Sequence, residues 1–130
     1  MHTYRVIGLM SGSSLDGLDI AYCEFTKQKG KWSFKIQKTI TFPFPAQWLT
    51  PLKNLPFVDS KSLLKNHAVL GKNLGMMASV FIEQQRLKNK VDFIASHGHT
   101  VFHFPGEGLT TQIGEGAAIA AASGLPVVCD

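Results

Sequence analysis

Three glycines, three serines and two aspartates fall within residues 8–19, between two short apolar runs. The apolar runs predict two strands, over residues 4–9 and 18–25, joined by a flexible polar loop. Such a loop can direct several backbone N–H groups at an anion, and its carboxylates can hold a cation. Ordinary hairpin turns use the same residue types, but they are shorter. The sequence therefore predicts a strand–loop–strand unit that binds phosphate together with magnesium.

Asp19 interrupts the alternation of the strand that follows the loop. Leu18, Ile20 and Tyr22 share one face, whereas Asp19 shares a mostly apolar face on which a carboxylate needs a partner. The loop has no Walker A lysine, and no crossover helix follows it, so a P-loop fold is disfavoured. The candidate phosphate-binding residues are Ser11, Gly12, Ser13, Ser14, Asp16, Gly17 and Asp19, and the candidate indirect ligands of Mg²⁺ are Asp16 and Asp19.

The bulk composition describes one folded domain. The 130 residues are 45% hydrophobic and 17% charged, which excludes a disordered chain. The formal net charge of +4 is spread over three short patches, which disfavours nucleic acid as a partner. No segment approaches the roughly 20 apolar residues of a membrane span. No signal peptide is recognised at the N-terminus. Cys23 and Cys129 lie in apolar surroundings and are predicted to be buried free thiols, so we expect a cytoplasmic protein with no membrane partner.

The remaining pattern predicts an α/β protein. Residues 32–41 alternate as a third antiparallel strand, with Trp32, Phe34, Ile36 and Ile40 on one face. Four prolines within residues 42–58 indicate an irregular packed segment. A long amphipathic helix starts at Asp59 or Ser60 and carries an apolar stripe that includes His67, for which a packed core role is favoured.

The C-terminal part predicts a βαβ unit. Residues 91–97 are predicted to form a buried strand, and residues 99–104 either extend it or form a hairpin with it. An alanine-rich helix is predicted over residues 113–123 and a last strand over residues 125–129. The predicted architecture is a three-stranded antiparallel meander followed by helix, strand, helix and strand, in a mixed sheet covered by helices. An α/β protein usually continues beyond a strand end, so we expect residues 1–130 to belong to a longer protein.

Three histidines follow the buried strand, at positions 97, 99 and 103. In an extended strand they would point the same way and could hold zinc. Alternatively, His97, Gly98, His99 and Thr100 line a polar substrate pocket at the strand's carboxyl end. A purely structural role for the cluster is a third possibility. The substrate pocket is favoured, because a kink at Gly98 would separate the histidines.

Glu115 lies in the first turn of the predicted helix that starts at Ile113. A carboxylate there can complement the helix dipole. It can also accept a hydrogen bond from a sugar hydroxyl, which makes Glu115 a further candidate for substrate binding.

Several of these stretches resemble one known family. The stretch from Gly8 to Asp19 is similar to the N-terminal signature of anhydro-N-acetylmuramic acid kinases. Ser96 to His103, followed by Pro105, resembles a second motif of that family, and Thr111 to Gly116 with Val127 to Asp130 resemble a third. The chain departs from the family at Ser13, where threonine is usual, and at His99, where glutamine is common.

The resemblance implies one half of the actin-like ATPase fold, which is ribonuclease H-like. It implies a kinase that uses water to open the 1,6-anhydro ring of anhydro-N-acetylmuramic acid while phosphorylating the sugar from ATP, in peptidoglycan recycling. The loop from Ser11 to Asp19 would hold the ATP phosphates and Mg²⁺, and His97 to Thr100 would face the amino sugar. A homodimer is one assembly open to the full-length protein. The family's catalytic aspartate and adenine-binding half lie beyond residue 130, so no catalytic residue is assigned and the chain alone is expected to be inactive.

Two other functions stay open at this point. One is a zinc-dependent hydrolase or lyase that uses His97, His99 and His103. The other is a non-enzymatic nucleotide-binding module, because actin-like folds also serve as switches and scaffolds.

Overall fold

The computed structural model describes residues 1–130 as a mixed α/β fold with one open six-stranded sheet. Three α-helices contribute to the same hydrophobic core as the sheet. Two short 3₁₀ turns, Leu55–Phe57 and Pro105–Glu107, complete the chain. In chain order the elements are β1 (His2–Ser11), β2 (Leu18–Gln28), β3 (Lys31–Phe42), α1 (Ala46–Asn54), α2 (Ser60–Gln84), β4 (Phe93–Phe104), β5 (Leu109–Ile113), α3 (Gly116–Ser123) and β6 (Val127–Cys129).

The sheet order is β3-β2-β1-β4-β5, with β6 paired to the first part of β4. Strands β1, β2 and β3 form an antiparallel meander, β4 pairs parallel with β1 and β6, and β5 pairs antiparallel with β4. Buried Leu18, Ile20 and Tyr22 share the core face of β2. The mixed α/β class that the sequence predicts is therefore confirmed.

The β2–β3 hairpin contains a bulge. Tyr22 pairs with Lys38 and Cys23 pairs with Ile36, so Gln37 has no partner in the ladder. The extra residue reverses the alternation of β3, since a one-residue shift moves every later side chain to the other face. Ile40 consequently lies opposite Ile20 and packs on the core. The prediction that Ile40 shares a face with the exposed side chains of Trp32, Phe34 and Ile36 is wrong.

Residues 46–54 form a helix, and the prediction of an irregular segment there is wrong. Pro51 lies inside this helix, where it removes one backbone hydrogen bond. Burial of Leu52 and Leu55 against the core offsets that loss. Phe44, just before the helix, is also buried and packs on Trp48, with ring centroids 5.6 Å apart.

The predicted helix over residues 113–123 begins only at Gly116. Residues 109–113 form β5 instead, paired with the second half of β4, which extends to Phe104. Thr110 and Thr111 favour a strand because they are β-branched. Gly114, with a φ of 120°, turns the chain between strand and helix.

Helices α2 and α3 pack closely through glycines. The Asp59 side chain caps α2 by accepting a hydrogen bond of 2.7 Å from the Ser62 N–H. A Cβ at Gly71 would lie 2.5 Å from the Glu115 carbonyl oxygen, and one at Gly75 would lie 2.7 Å from that of Ile119. Both glycines are therefore required for this approach of α3, which places Glu115.

The two cysteines are free, and they differ in exposure. Cys23 is half-buried, and burial raises the pKa of its thiol. Cys129 is exposed at the end of β6, an edge strand of three residues, so the prediction that it is buried is wrong. No helix of the chain has both the length and the apolar content needed to span a membrane.

Candidate functional site

Parallel pairing brings the carboxyl end of β1 beside the middle of β4. Leu9 pairs with Ser96 and Ser11 pairs with His99, with a bulge of β4 between the two pairs. The first loop and the histidine-containing segment, which are nearly 90 residues apart in sequence, therefore meet at one place. Ligands of α/β proteins commonly bind at this edge of the sheet, where parallel strands end.

Two residues anchor the loop formed by residues 12–17. Leu15 is buried, has a φ of 56°, and donates its N–H to the Gly12 carbonyl over 3.2 Å. At Gly17 the backbone approaches β3 so closely that a Cβ would lie 2.2 Å from the Phe42 carbonyl oxygen. No other residue type fits at Gly17, so the loop's path depends on this glycine.

The loop offers several free hydrogen-bond donors. Among its backbone amides only that of Leu15 donates within the chain, which leaves five amides without an internal partner, and of these five residues only Gly17 is buried. The side chains of Ser13 and Ser14 are exposed, and the Ser14 hydroxyl donates to the Asp16 carboxylate over 2.8 Å. A loop with many free N–H groups and hydroxyls can bind an anion such as phosphate. The free amides belong to Gly12, Ser13, Ser14, Asp16 and Gly17.

Asp19 has a partner that sequence reasoning missed. The Thr41 hydroxyl on β3 donates to the Asp19 carboxylate. The two residues are paired across β2 and β3 only because of the bulge at Gln37. The hydrogen bond orients an exposed carboxylate at the start of β2, directly after the loop.

A cavity of about 830 Å³ lies on the sheet face away from the helices. Of the predicted site residues, Asp19 and His97 line it. Thr41 and Asp130, which were not predicted as site residues, also line it. The sequence signal for Asp130 was its position directly after a strand. The structure thus joins a loop-side carboxylate with one of the histidines in a single concave space.

Ser11 and His99 form a second, buried group. Their exposed fractions are 2% and 4%, and Ser11 Oγ lies 3.0 Å from His99 Nδ1. Burial lowers the pKa of His99 below its ordinary value of 6.5. The imidazole is therefore neutral at pH 7, and the Ser11 hydroxyl faces His99 rather than the loop's open side.

The buried imidazole makes stability depend on pH. In the unfolded chain His99 binds a proton at its ordinary pKa, whereas in the folded chain it does so only at lower pH. The unfolded state therefore binds more protons than the folded state at pH values between about 6.5 and the lower pKa that His99 has in the folded chain. We expect the free energy of unfolding to decrease over that interval in wild type, and to decrease less in His99→Gln. Urea denaturation at successive pH values measures this, with exposed His103→Gln as the control, and equal slopes in the three proteins would contradict it.

The three histidines do not converge. His97 is exposed and its Nδ1 lies 3.3 Å from the Gly98 carbonyl, whereas His103 Nδ1 lies 3.5 Å from the Thr110 hydroxyl. Gly98 has a φ of 74°, and a Cβ there would lie 2.6 Å from the Ile113 carbonyl oxygen. The chain kinks at Gly98, so the three side chains do not share the single face that an extended strand would give them.

Glu115 is placed by His67 of α2. The His67 Nδ1 accepts a hydrogen bond of 3.0 Å from the Gly114 N–H, and its carbonyl accepts one of 3.0 Å from the Glu115 N–H. Glu115 is half-buried and is the N-cap residue of α3. His67 is thus a bridge to the candidate site and not simply a core residue. Thr100 is half-buried on β4, with Gln112 Nε2 3.5 Å from its hydroxyl.

No three His, Cys, Asp or Glu side chains are grouped so that they could hold a metal ion. Magnesium, unlike zinc, does not need three protein side chains, because it commonly binds one or two carboxylates together with water and substrate phosphates. Asp16 and Asp19 are both exposed and lie three residues apart beside the free amides. This donor set fits Mg²⁺ held indirectly, and it does not fit a zinc centre.

Comparison with known proteins gives a consistent result along the chain. A family model described as Anhydro-N-acetylmuramic acid kinase matches residues 4–130. Curated proteins with that name are similar to the chain: the one from Brucella canis is 35% identical over 97% of it. Those from a Sulfurovum species and from Shewanella loihica are 32% and 34% identical over all of it. The chain spans 36% of the length of each of these relatives.

Proposed function

The chain belongs to the anhydro-N-acetylmuramic acid kinase family, and on that basis we propose that it carries the phosphate-binding loop and part of the sugar pocket of such a kinase. The full-length reaction consumes ATP, water and anhydro-N-acetylmuramic acid. It yields ADP and N-acetylmuramic acid 6-phosphate, in the recycling of cell-wall sugar. The observation that carries the proposal is the loop of free amides beside Asp19, within a match that covers residues 4–130.

The loop binds the phosphates of ATP. The amides of residues 12–14, 16 and 17 and the hydroxyls of Ser13 and Ser14 donate to phosphate oxygens. Asp16 and Asp19 would hold Mg²⁺ through water, and the bound ion would supply positive charge to neutralise the phosphates. The Ser11 hydroxyl is occupied by His99, so Ser11 contributes through its position at the start of the loop.

The sugar lies toward β4. His97 projects into the same cavity as Asp19, which would place a sugar hydroxyl within reach of a bound phosphate. His99, Thr100 and the Gly98 backbone provide polar groups on the neighbouring stretch of β4, and Glu115 accepts from a sugar hydroxyl at the start of α3. These polar groups lie near the edge of the sheet at which the parallel strand β1 ends beside β4, where ligands of α/β proteins commonly bind.

The fold that we propose is one half of an actin-like ATPase. The antiparallel meander followed by a parallel β4 and β6, with helices on one face, supports this assignment. The other half of the protein supplies the adenine site and the aspartate that activates water. We also propose a cytoplasmic location, where ATP is available. No observation favours a zinc enzyme, since the histidines have separate partners.

Sugar binding tests the proposal directly. In saturation-transfer NMR the chain is expected to bind anhydro-N-acetylmuramic acid more strongly than N-acetylglucosamine, which lacks the anhydro ring and the lactyl group. His97→Ala is expected to weaken the signal, and His103→Ala, on an exposed strand end, serves as the matched control. Equal signals for both sugars would contradict the proposed substrate.

We expect no phosphorylated sugar when the chain alone is incubated with ATP, Mg²⁺ and anhydro-N-acetylmuramic acid. Phosphoryl transfer depends on positioning both reactants, and residues 1–130 hold only one side of the cleft. Mass spectrometry detects the product, with the full-length Brucella canis relative as the positive control. Formation of N-acetylmuramic acid 6-phosphate by the chain alone would overturn this prediction.

A further inference from the structure

A single side-chain hydrogen bond joins Ser11, at the end of β1 just before the loop of residues 12–17, to His99 on β4. Ser11 Oγ lies 3.0 Å from His99 Nδ1, and both residues are at least 96% buried. Neither side chain makes another side-chain hydrogen bond. The Ser96 hydroxyl is the one fully buried side-chain polar atom that has no hydrogen-bond partner. His99 Nε2 also has no partner, and because it is not a second such atom, it retains some contact with solvent. The ring therefore has one interior nitrogen, which bonds to Ser11, and one outward nitrogen.

The burial of Ser11 determines which partner donates. If Nδ1 carried the proton, the Ser11 hydroxyl would accept and its own hydrogen would be buried without an acceptor, which costs about 1–3 kcal/mol. If the Ser11 hydroxyl donates to Nδ1, no buried hydrogen is left unpaired. Burial also keeps the ring neutral at pH 7, so only one nitrogen carries a proton. The second arrangement is favoured, and it places the ring proton on Nε2.

We propose that Ser11 is a positioning residue that holds His99 as the Nε2–H tautomer. His99 then presents a hydrogen-bond donor at the outward nitrogen, and the ligand group that it recognises is a neutral oxygen acceptor, such as a ring ether or carbonyl oxygen. The identification of that ligand as a sugar rests on the proposed function, whereas the tautomer does not.

The tautomer can be measured without any ligand. Long-range ¹H–¹⁵N NMR of the histidine rings in the ligand-free chain, at neutral pH, is expected to show His99 with its proton on Nε2. In Ser11→Ala we expect a mixture of the two tautomers, because the hydroxyl that selects one of them is gone. Ser96→Ala is the control, since it removes another buried hydroxyl of the sheet, one that has no partner, and it should leave the tautomer unchanged.

Two results would overturn the proposal: a wild-type His99 with its proton on Nδ1, or a Ser11→Ala protein whose tautomer matches that of wild type. Amide spectra establish that each variant is folded. If Ser11→Ala does not fold, Ser11→Thr keeps the hydroxyl and should keep the tautomer, and a change of tautomer there would contradict the assignment.

A sugar titration then separates this proposal from the proposed function. Affinity for anhydro-N-acetylmuramic acid is expected to fall about tenfold in Ser11→Ala and to be unchanged in Ser96→Ala. If wild type shows the Nε2–H tautomer but binds no sugar, the proposed substrate fails and the role of Ser11 stands. If sugar binds equally to all three proteins, the positioning role in recognition is refuted while the proposed function stands.

Discussion

Gly17→Ala is expected to lower the free energy of unfolding by about 3 kcal/mol or more, and to abolish nucleotide binding by the loop. The new methyl group would lie 2.2 Å from the Phe42 carbonyl oxygen and 2.9 Å from the Phe42 carbonyl carbon. Both are backbone atoms of β3, so neither can rotate away. The loop must move off β3, which displaces the amides on either side. Urea denaturation and ATP titration measure the two effects.

Gly12→Ala is the matched control in the same loop. A Cβ at Gly12 meets only the Ser14 hydroxyl, at an ordinary distance of 3.5 Å. Gly12→Ala should therefore change the free energy of unfolding by less than about 1 kcal/mol. Similar losses of stability in the two variants would show that the close approach of Gly17 to β3 does not hold the loop.

Asp19→Asn is expected to weaken the magnesium dependence of ATP binding while leaving the fold intact. The side chain is exposed, and its amide oxygen can still accept from Thr41, so little packing is lost. The neutral amide is a poorer ligand than a carboxylate for a hydrated Mg²⁺ ion. The gain in ATP affinity on adding Mg²⁺ should fall by about tenfold, or about 1.4 kcal/mol.

Calorimetric titration with and without Mg²⁺ measures this gain. Glu24→Gln is the matched control, because it neutralises another carboxylate of β2 outside the loop. If Asp19→Asn and Glu24→Gln show the same dependence on Mg²⁺ as wild type, Asp19 is not a ligand of the ion.

Local patterns predicted the parts of the fold that depend on one element at a time. Alternation placed Leu18, Ile20 and Tyr22 together on one face of β2, and all three are buried. The cap at Asp59 and the apolar stripe of the long helix are likewise properties of one segment. Such features follow from strand and helix periodicity, which a single sequence shows directly.

The missed features depend on pairing between distant segments. The bulge at Gln37, which reverses the face of Ile40 and sets Thr41 beside Asp19, is a property of the β2–β3 register and leaves no mark in either strand alone. Strand β5 exists because residues 109–113 find the second half of β4 as a partner.

The same limit applies to the candidate site. His67 lies on an apolar helix stripe, so its sequence position favoured a core role, although its Nδ1 accepts from Gly114 on a different element. The contact between Ser11 and His99 required the parallel register of β1 and β4. Sequence could identify the chemically capable residues, but the partners of those residues needed the fold.

The central claim is that the loop of residues 12–17 binds the phosphates of ATP with Mg²⁺. A ¹H–¹⁵N NMR titration of the chain with ATP and MgCl₂ tests it most directly, with adenosine as the control that lacks phosphate. The largest amide shifts are predicted at Gly12, Ser13, Ser14, Asp16 and Gly17, with little change there on adding adenosine. ATP-dependent shifts confined to other parts of the chain, or no shifts in this loop at saturating ATP, would contradict the claim.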